Sequence, residues 1–114
     1  MIGLDTNVLV RYIMQDDARQ SAKASKLIES LTADEPGFFT LVSVVELGWV
    51  LSSCYGLNRA QVAQAFDALL QTKEIIIERA DQVRRALYIF TTTNADLADC
   101  LIERPLLMQV VTAQ

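Results

Sequence analysis

The chain contains no histidine and only two cysteines, Cys54 and Cys100. Without histidine, neither a Ser-His-Asp nor a Cys-His catalytic arrangement can be built within the chain. The two cysteines do not form a Cys-x-x-Cys pair, and no zinc site can be assembled from these ligands. Any general acid or base must therefore be a carboxylate, a lysine, a tyrosine or a metal-bound water molecule.

The chain also lacks an excess of basic residues. It has 10 Lys and Arg against 14 Asp and Glu, a formal net charge of -4 and a pI of about 4.6. A domain that binds nucleic acid through its bulk charge should be basic. Contact with nucleic acid would therefore need a local site, bound cations or a partner protein.

Long apolar runs are missing as well. The longest, Leu41–Leu51, contains Glu46 and is shorter than the roughly 20 residues that a membrane-spanning helix needs. Asp5 interrupts the apolar start of the chain, so no basic region followed by an apolar leader is visible. We expect a soluble, cytoplasmic protein without a membrane segment.

The residues that are present suit one globular domain over residues 1–114. Hydrophobic residues make up 52% of the 114 residues, which is enough for a well-supplied core. Apolar runs that suit buried strands alternate with stretches of helical periodicity, which indicates an α/β fold with a parallel sheet. In chain order, the predicted elements are a short apolar run at Ile2–Leu4, helices over Thr6–Met14 and Asp17–Leu31, a strand over Phe38–Val42, a helix from Ser43 to Gly56, a helix from Asn58 to about Leu70, a strand at Ile75–Ile77, and helices over Asp81–Phe90 and from about Ala95, capped by Asn94, to Glu103.

Four carboxylates lie where such a sheet would carry a site. Asp5 follows the first apolar run, Glu46 follows the second predicted strand by one helical turn, and Asp96 and Asp99 share one face at the start of the last helix. Sites in parallel α/β sheets lie beyond the carboxyl ends of the strands. Clustered carboxylates repel one another, and a hard cation such as Mg²⁺ removes that penalty because it prefers oxygen ligands.

Each acid also has a local explanation. Asp5 can cap the helix that follows it. The stretch from Ser43 to Glu46 has the Ser-x-x-Glu pattern of a capping box, in which Glu46 would bond the backbone at Ser43. Asp96 and Asp99 can be favourable charges near a helix N-terminus. Only the occurrence of all three positions together favours a metal site.

Three motifs resemble those of VapC-type PIN domains. They are Ile-Gly-Leu-Asp-Thr-Asn-Val-Leu-Val-Arg-Tyr at residues 2–12, Ser-Val-Val-Glu-Leu at 43–47 and Asn-Ala-Asp-Leu-Ala-Asp-Cys-Leu-Ile at 94–102. The first and third are quite specific, whereas the second alone is weak. The resemblance covers residues 1–103 and implies a three-layer α/β/α fold with a central parallel sheet.

The resemblance also implies a function. Members of the family cleave RNA with Mg²⁺ or Mn²⁺, act as toxins that an antitoxin holds inactive, and commonly form homodimers. By this resemblance Asp5, Glu46 and Asp99 are the catalytic and metal-binding acids, and Asp96 is an accessory metal ligand on the same face. RNA, an antitoxin and a second copy of the chain are the implied partners.

Residues 104–114 depart from the family pattern. Family members usually continue the last helix and then add a strand followed by a Thr-x-Asp or Thr-x-Asn segment, whereas Arg104-Pro105 breaks the helix. We therefore expect the final strand to be missing or altered and the chain to be truncated by a frameshift or stop near residue 104. Reading the gene in the other frames tests this expectation.

Two other functions remain open on the sequence. A truncated domain could lack catalysis and only bind an antitoxin or dimerise. A receiver-like or phosphatase-like α/β domain is disfavoured, because the first strand ends in Asp-Thr-Asn rather than in the Asp-x-Asp of haloacid-dehalogenase-like phosphatases.

Overall fold

The structure is a computed structural model that describes residues 1–101. Its elements alternate between short strands and helices, as the sequence predicts. In chain order they are β1 (Ile2–Gly3), α1 (Thr6–Met14), α2 (Ala18–Glu29), β2 (Gly37–Phe39), α3 (Leu41–Trp49), a π-helical turn (Val50–Cys54), α4 (Arg59–Gln71), β3 (Ile75–Ile77), α5 (Ala80–Thr92) and a last helix, α6, that begins at residue 97 and continues through 101.

The three strands form one parallel sheet in the order β1-β2-β3. Gly37 of β2 is in register with Ile2 on one side and with Ile75 on the other. Because all three strands run the same way, their carboxyl ends lie along one edge of the sheet. The predicted α/β class with a central parallel sheet is therefore confirmed.

The helices cover the sheet and meet one another in two groups. Helix α1 packs against α2 and α3, while α4 packs against α5, β3 and the π-helical turn. One continuous core joins both groups. Its largest fully buried side chains are Phe39, Phe66, Leu9, Leu47, Leu51, Val44, Val62 and Val83.

Local sequence explains most element boundaries. Asp5 caps α1, and Asn58 and Gln61 form a capping box at the start of α4. Gly56 has a φ of 68° just after the π-helical turn, a left-handed conformation that glycine commonly adopts just beyond a helix end. The strand Ile75–Ile77 is also observed as predicted.

The predicted boundary between β2 and α3 is wrong. The sequence predicts a strand over Phe38–Val42 and a helix from Ser43, whereas β2 ends at Phe39 and α3 begins at Leu41. Thr40 is the cap of α3, and its side chain accepts a hydrogen bond from the Ser43 backbone at 3.2 Å. Residue 43 is therefore inside the first turn and does not start the helix.

Other expectations meet the limits of the described chain. The altered final strand and the divergent tail fall within residues 102–114, which lie outside the described residues, and the single domain over 1–114 stays a prediction. In the part of the chain that is described, no helix is long and apolar enough to cross a membrane.

Candidate active site

Asp5 stands at the carboxyl end of β1 and caps α1. One of its oxygens, Oδ1, accepts a hydrogen bond from the Asn7 backbone at 3.0 Å, and the side chain is exposed. Its second oxygen has no hydrogen-bond partner within residues 1–101. The capping role that the sequence allows is thus confirmed, and it leaves one carboxylate oxygen available to a ligand.

Glu46 lies in the middle of α3 and does not belong to a capping box. Since Thr40 caps this helix, Glu46 is too far along it to bond the first backbone N–H groups. The Glu46 side chain is exposed and has no hydrogen-bond or ion-pair partner among the described residues. The local explanation for Glu46 is therefore wrong, and nothing in the backbone of α3 requires an acid there.

Asp96 and Asp99 are exposed at the start of α6. The helix begins at 97, and the Asp96 carbonyl accepts the helical hydrogen bond from the Cys100 backbone at 3.0 Å. Asp96, rather than the predicted Asn94, therefore directly precedes the helix. Leu97, Cys100 and Leu101 are buried, so the two acids lie on the outer face of α6. Neither carboxylate is bonded to another described residue.

Helix α3 connects the three motifs in space. At Gly48 it approaches α6 so closely that an added Cβ would lie 2.9 Å from Cδ2 of Leu97. A cavity of about 350 Å³ next to this contact is lined by Val45 and Trp49 of α3 and by Asp96. Because α1 also packs against α3, the elements that carry all four predicted acids are neighbours.

The carboxylates themselves are less closely gathered than the elements. Within residues 1–101, no three His, Cys, Asp or Glu side chains are grouped so that they could hold a metal ion. The donor atoms nevertheless fit a hard divalent cation, since all are carboxylate oxygens, and of these only Asp5 Oδ1 accepts a hydrogen bond from another described group. Mg²⁺ is usually bound through one or two carboxylates and keeps several waters, so it does not need a closed cage of protein ligands.

Sequence reasoning missed Glu78, which follows β3 at the same edge of the sheet as Asp5. Its Oε1 accepts a hydrogen bond from the Leu41 backbone at 2.7 Å, so it stabilises the N-terminus of α3 from a strand 37 residues away. The signal was present, because Glu78 follows a buried apolar strand as Asp5 does. The negative charge of Glu78 is favourable at this position, because the N-terminus is the positive end of the helix dipole.

Arg59, the first residue of α4, was also missed. Its guanidinium group donates hydrogen bonds to the carbonyls of Phe90 and Ala95, and Ala95 immediately precedes Asp96. No sequence pattern announces these contacts, since they join residues 31 and 36 positions apart.

A hydrogen-bonded group of Asp16, Tyr55 and Arg11 lies outside the predicted site. Asp16 accepts hydrogen bonds from the Tyr55 hydroxyl at 2.8 Å and from Arg11 at 3.2 Å. The bond from Tyr55, together with the bond and charge of Arg11, lowers the pKa of Asp16, and the same bond raises the pKa of Tyr55. This cluster ties the loop after α1 to the end of the π-helical turn, and we assign it a structural role.

Comparison with known protein families gives one match, the PIN domain, over residues 2–103. Neither the curated proteins nor the solved structures give a match. The matched region contains all four predicted acids, together with Glu78 and Arg59. It covers most of the chain, and the parallel α/β sheet agrees with it. The chain belongs to the PIN domain family.

Proposed function

We propose that this chain is a cytoplasmic endoribonuclease toxin of the VapC type, which cleaves RNA phosphodiester bonds and is inhibited by an antitoxin. PIN domains are generally nucleases. The observation that carries the proposal is that the family match includes Asp5, Glu46 and Asp99 on three neighbouring elements. Among residues 1–101 Glu46 has no hydrogen-bond or ion-pair partner, which supports a role for it in binding a ligand.

In this proposal the four acids form a metal-binding site. Asp5, Glu46 and Asp99, with Asp96 beside them, would hold Mg²⁺ or Mn²⁺. When bound, such a cation supplies an activated water and charge stabilisation at the phosphate. The chain itself contributes carboxylate oxygens that orient water, and the N-termini of α1 and α6, whose backbone N–H groups favour the negative charge of a phosphate.

The proposed partners agree with the charge of the chain. A net charge of -4 gives little general attraction for RNA, so binding would depend on the local site. Helix α3 also exposes Val42 and Trp49, at 76% and 62% of their surfaces. They are seven positions apart and so lie on one face, which suits contact with an antitoxin or with a second copy of the chain.

A second candidate is a PIN domain without catalysis that only binds an antitoxin or dimerises. One observation favours it, namely that no three potential ligands are grouped for a metal within the described part of the chain. The two candidates differ in their response to metal and in RNA cleavage.

The deciding experiment is an RNA cleavage assay with Mn²⁺ or Mg²⁺ on the wild type and Asp5→Asn. Asparagine caps helices as well as aspartate does, so the exchange removes the charge and keeps the fold. We expect cleavage to fall by about 100-fold or more, since a charged group that acts at the reacting phosphate contributes several kcal/mol. Asp34→Asn is the matched control, because Asp34 is exposed and remote in sequence from the motifs.

Each outcome has a clear meaning. Loss of cleavage in Asp5→Asn but not in Asp34→Asn supports the nuclease. Equal cleavage by all three proteins contradicts the assigned site. If Mn²⁺ raises the melting temperature of the wild type without any cleavage of structured RNA, the non-catalytic candidate is favoured, because binding to the folded state alone stabilises a protein.

A further inference from the structure

Arg59 links the end of α5 to the residue before Asp96, two segments that are otherwise joined by a short connection. Its Nε and Nη2 donate to the Phe90 carbonyl at 3.0 and 2.6 Å, and Nη2 also donates to the Ala95 carbonyl. Its Cζ lies 3.8 Å from the centre of the Phe90 ring, which adds a cation–π contact. One side chain therefore contacts both the end of α5 and the residue before Asp96.

The carbonyl partners explain why an arginine stands at this position. Phe90 lies in the last turns of α5, where backbone carbonyls lack helical donors and a positive charge is favourable. Ala95 precedes α6 and belongs to the connection between α5 and α6. Its carbonyl accepts a hydrogen bond from Arg59. The rigid planar fork of arginine presents its donors to both carbonyls in a fixed geometry, whereas lysine carries a compact ammonium group on a flexible stem.

The charge of Arg59 is satisfied without an acid. Within residues 1–101 it makes no ion pair, although Asp96 lines the same cavity. Two carbonyls accept hydrogen bonds from Nε and Nη2, and among the described residues the Asp96 carboxylate makes no ion pair. A simple surface salt bridge would have neutralised that carboxylate.

We propose that Arg59 is a positioning residue of the PIN site, which fixes the connection between α5 and α6 and thereby sets the placement of Asp96 and Asp99. The inference rests on the proposed function, because those acids are assigned there. It gives α4, which contributes none of the four predicted acids, a defined part in the reaction. Arg59 acts through the backbone at Ala95 and does not itself contact the reacting atoms.

The test uses Arg59→Met and Arg59→Lys with Arg84→Met as the matched control. Methionine keeps an unbranched apolar stem and removes every donor. Arg84 also lies between α4 and α5, where it donates to the Leu70 carbonyl at 3.4 Å, but it has no contact with the connection to α6. Both Arg59→Met and Arg84→Met therefore remove an arginine that links α4 and α5. Only Arg59→Met also removes the hydrogen bond to the Ala95 carbonyl.

Two measurements are made on each protein. The first is amide hydrogen exchange of residues 95–101 in metal-free protein, where we expect faster exchange in Arg59→Met and no change in Arg84→Met. The second is the Mn²⁺ concentration for half-maximal RNA cleavage. It should rise about 10–100-fold in Arg59→Met, as it does when residues that orient metal ligands are removed. A residue with a purely structural role would lower the melting temperature without moving this concentration.

The outcomes separate the two proposals. Unchanged exchange at 95–101 together with an unchanged Mn²⁺ requirement overturns the role of Arg59. If Arg59→Met does not fold, Arg59→Lys decides the matter, with an intermediate shift in both measurements expected and wild-type values overturning the proposal. If the wild type neither cleaves RNA nor responds to Mn²⁺, the proposed function fails, and the exchange data alone then support or overturn the contact between Arg59 and the connection.

Discussion

At Gly48, α3 packs directly against Leu97 of α6, and replacement of Gly48 by alanine tests that packing. A Cβ at this position would lie 2.9 Å from Cδ2 of Leu97, with Phe66 Cε2 next at 3.7 Å. Favourable carbon–carbon contacts are about 3.5–4.0 Å, so Leu97 must move by about 0.6 Å or more. Leu97 is 6% exposed and has little room for such a movement.

Two opposing terms set the size of the effect. Overpacking a buried contact costs about 1–3 kcal/mol. Replacing glycine by alanine inside a helix contributes about 0.5–1 kcal/mol in the other direction. We therefore expect Gly48→Ala to lower the free energy of unfolding by about 0–2.5 kcal/mol, measured by urea denaturation.

A second background makes the prediction sharp. Leu97→Val removes the Cδ2 atom, so the remaining neighbours of a new Cβ are Phe66 Cε2 at 3.7 Å and the Cβ of residue 97 at 3.8 Å, both at ordinary distances. In that background Gly48→Ala should stabilise the protein by about 0.5–1 kcal/mol, because the helical preference of alanine is no longer opposed. If Gly48→Ala has the same effect in both backgrounds to within about 0.5 kcal/mol, the two sites are independent and the described contact is refuted.

Two further predictions concern hydrogen bonds between distant parts of the chain. Glu78→Ala should lower the free energy of unfolding by about 1–3 kcal/mol in a urea titration, because the Leu41 N–H loses a charged acceptor. Glu78→Gln keeps an oxygen acceptor and should lower the free energy of unfolding by less than half as much. Equal losses in the two variants would contradict the capping role. Tyr55→Phe should raise the pKa of Asp16 towards its ordinary value of 3.8, as read from its carboxyl carbon by NMR. The lowered pKa of Asp16 stabilises the fold above pH 3.8, and that stabilisation is lost as the pH falls through the lowered pKa. The difference in melting temperature between Tyr55→Phe and the wild type should therefore shrink in acid. A difference that stays constant with pH would argue against the contribution of this hydrogen bond.

Elements bounded by local signals could be predicted from the sequence. The helix Thr6–Met14 begins after a cap that the sequence itself supplies, and the strand Ile75–Ile77 is an apolar β-branched run. The family could also be predicted, because the three acidic motifs resemble those of PIN domains and lie within the region that the family model matches. The distances between the carboxylates could not be predicted, because they depend on how α3 packs against α1 and α6.

Two helix starts were misplaced, and both errors have a common physical cause. The start of α3 was placed at Ser43, whereas Glu78 binds the Leu41 N–H and Thr40 caps the helix. The start of α6 was placed at about Ala95, whereas the Ala95 carbonyl accepts a hydrogen bond from Arg59 and the helix begins at residue 97. In each case a charged side chain more than 30 residues away contacts the backbone at the boundary, and the residues at the boundary do not reveal that contact.

These two contacts assign a function to the middle of the chain. The segment from α4 through α5 contributes none of the four predicted acids, yet its Arg59 and its Glu78 contact the backbone beside α6 and at the N-terminus of α3. Glu46 is on α3, and Asp96 and Asp99 are at the start of α6. The placement of three of the four acids therefore depends on side chains that carry no chemistry themselves. Only Asp5, whose cap is formed within its own motif, is positioned by residues next to it in sequence.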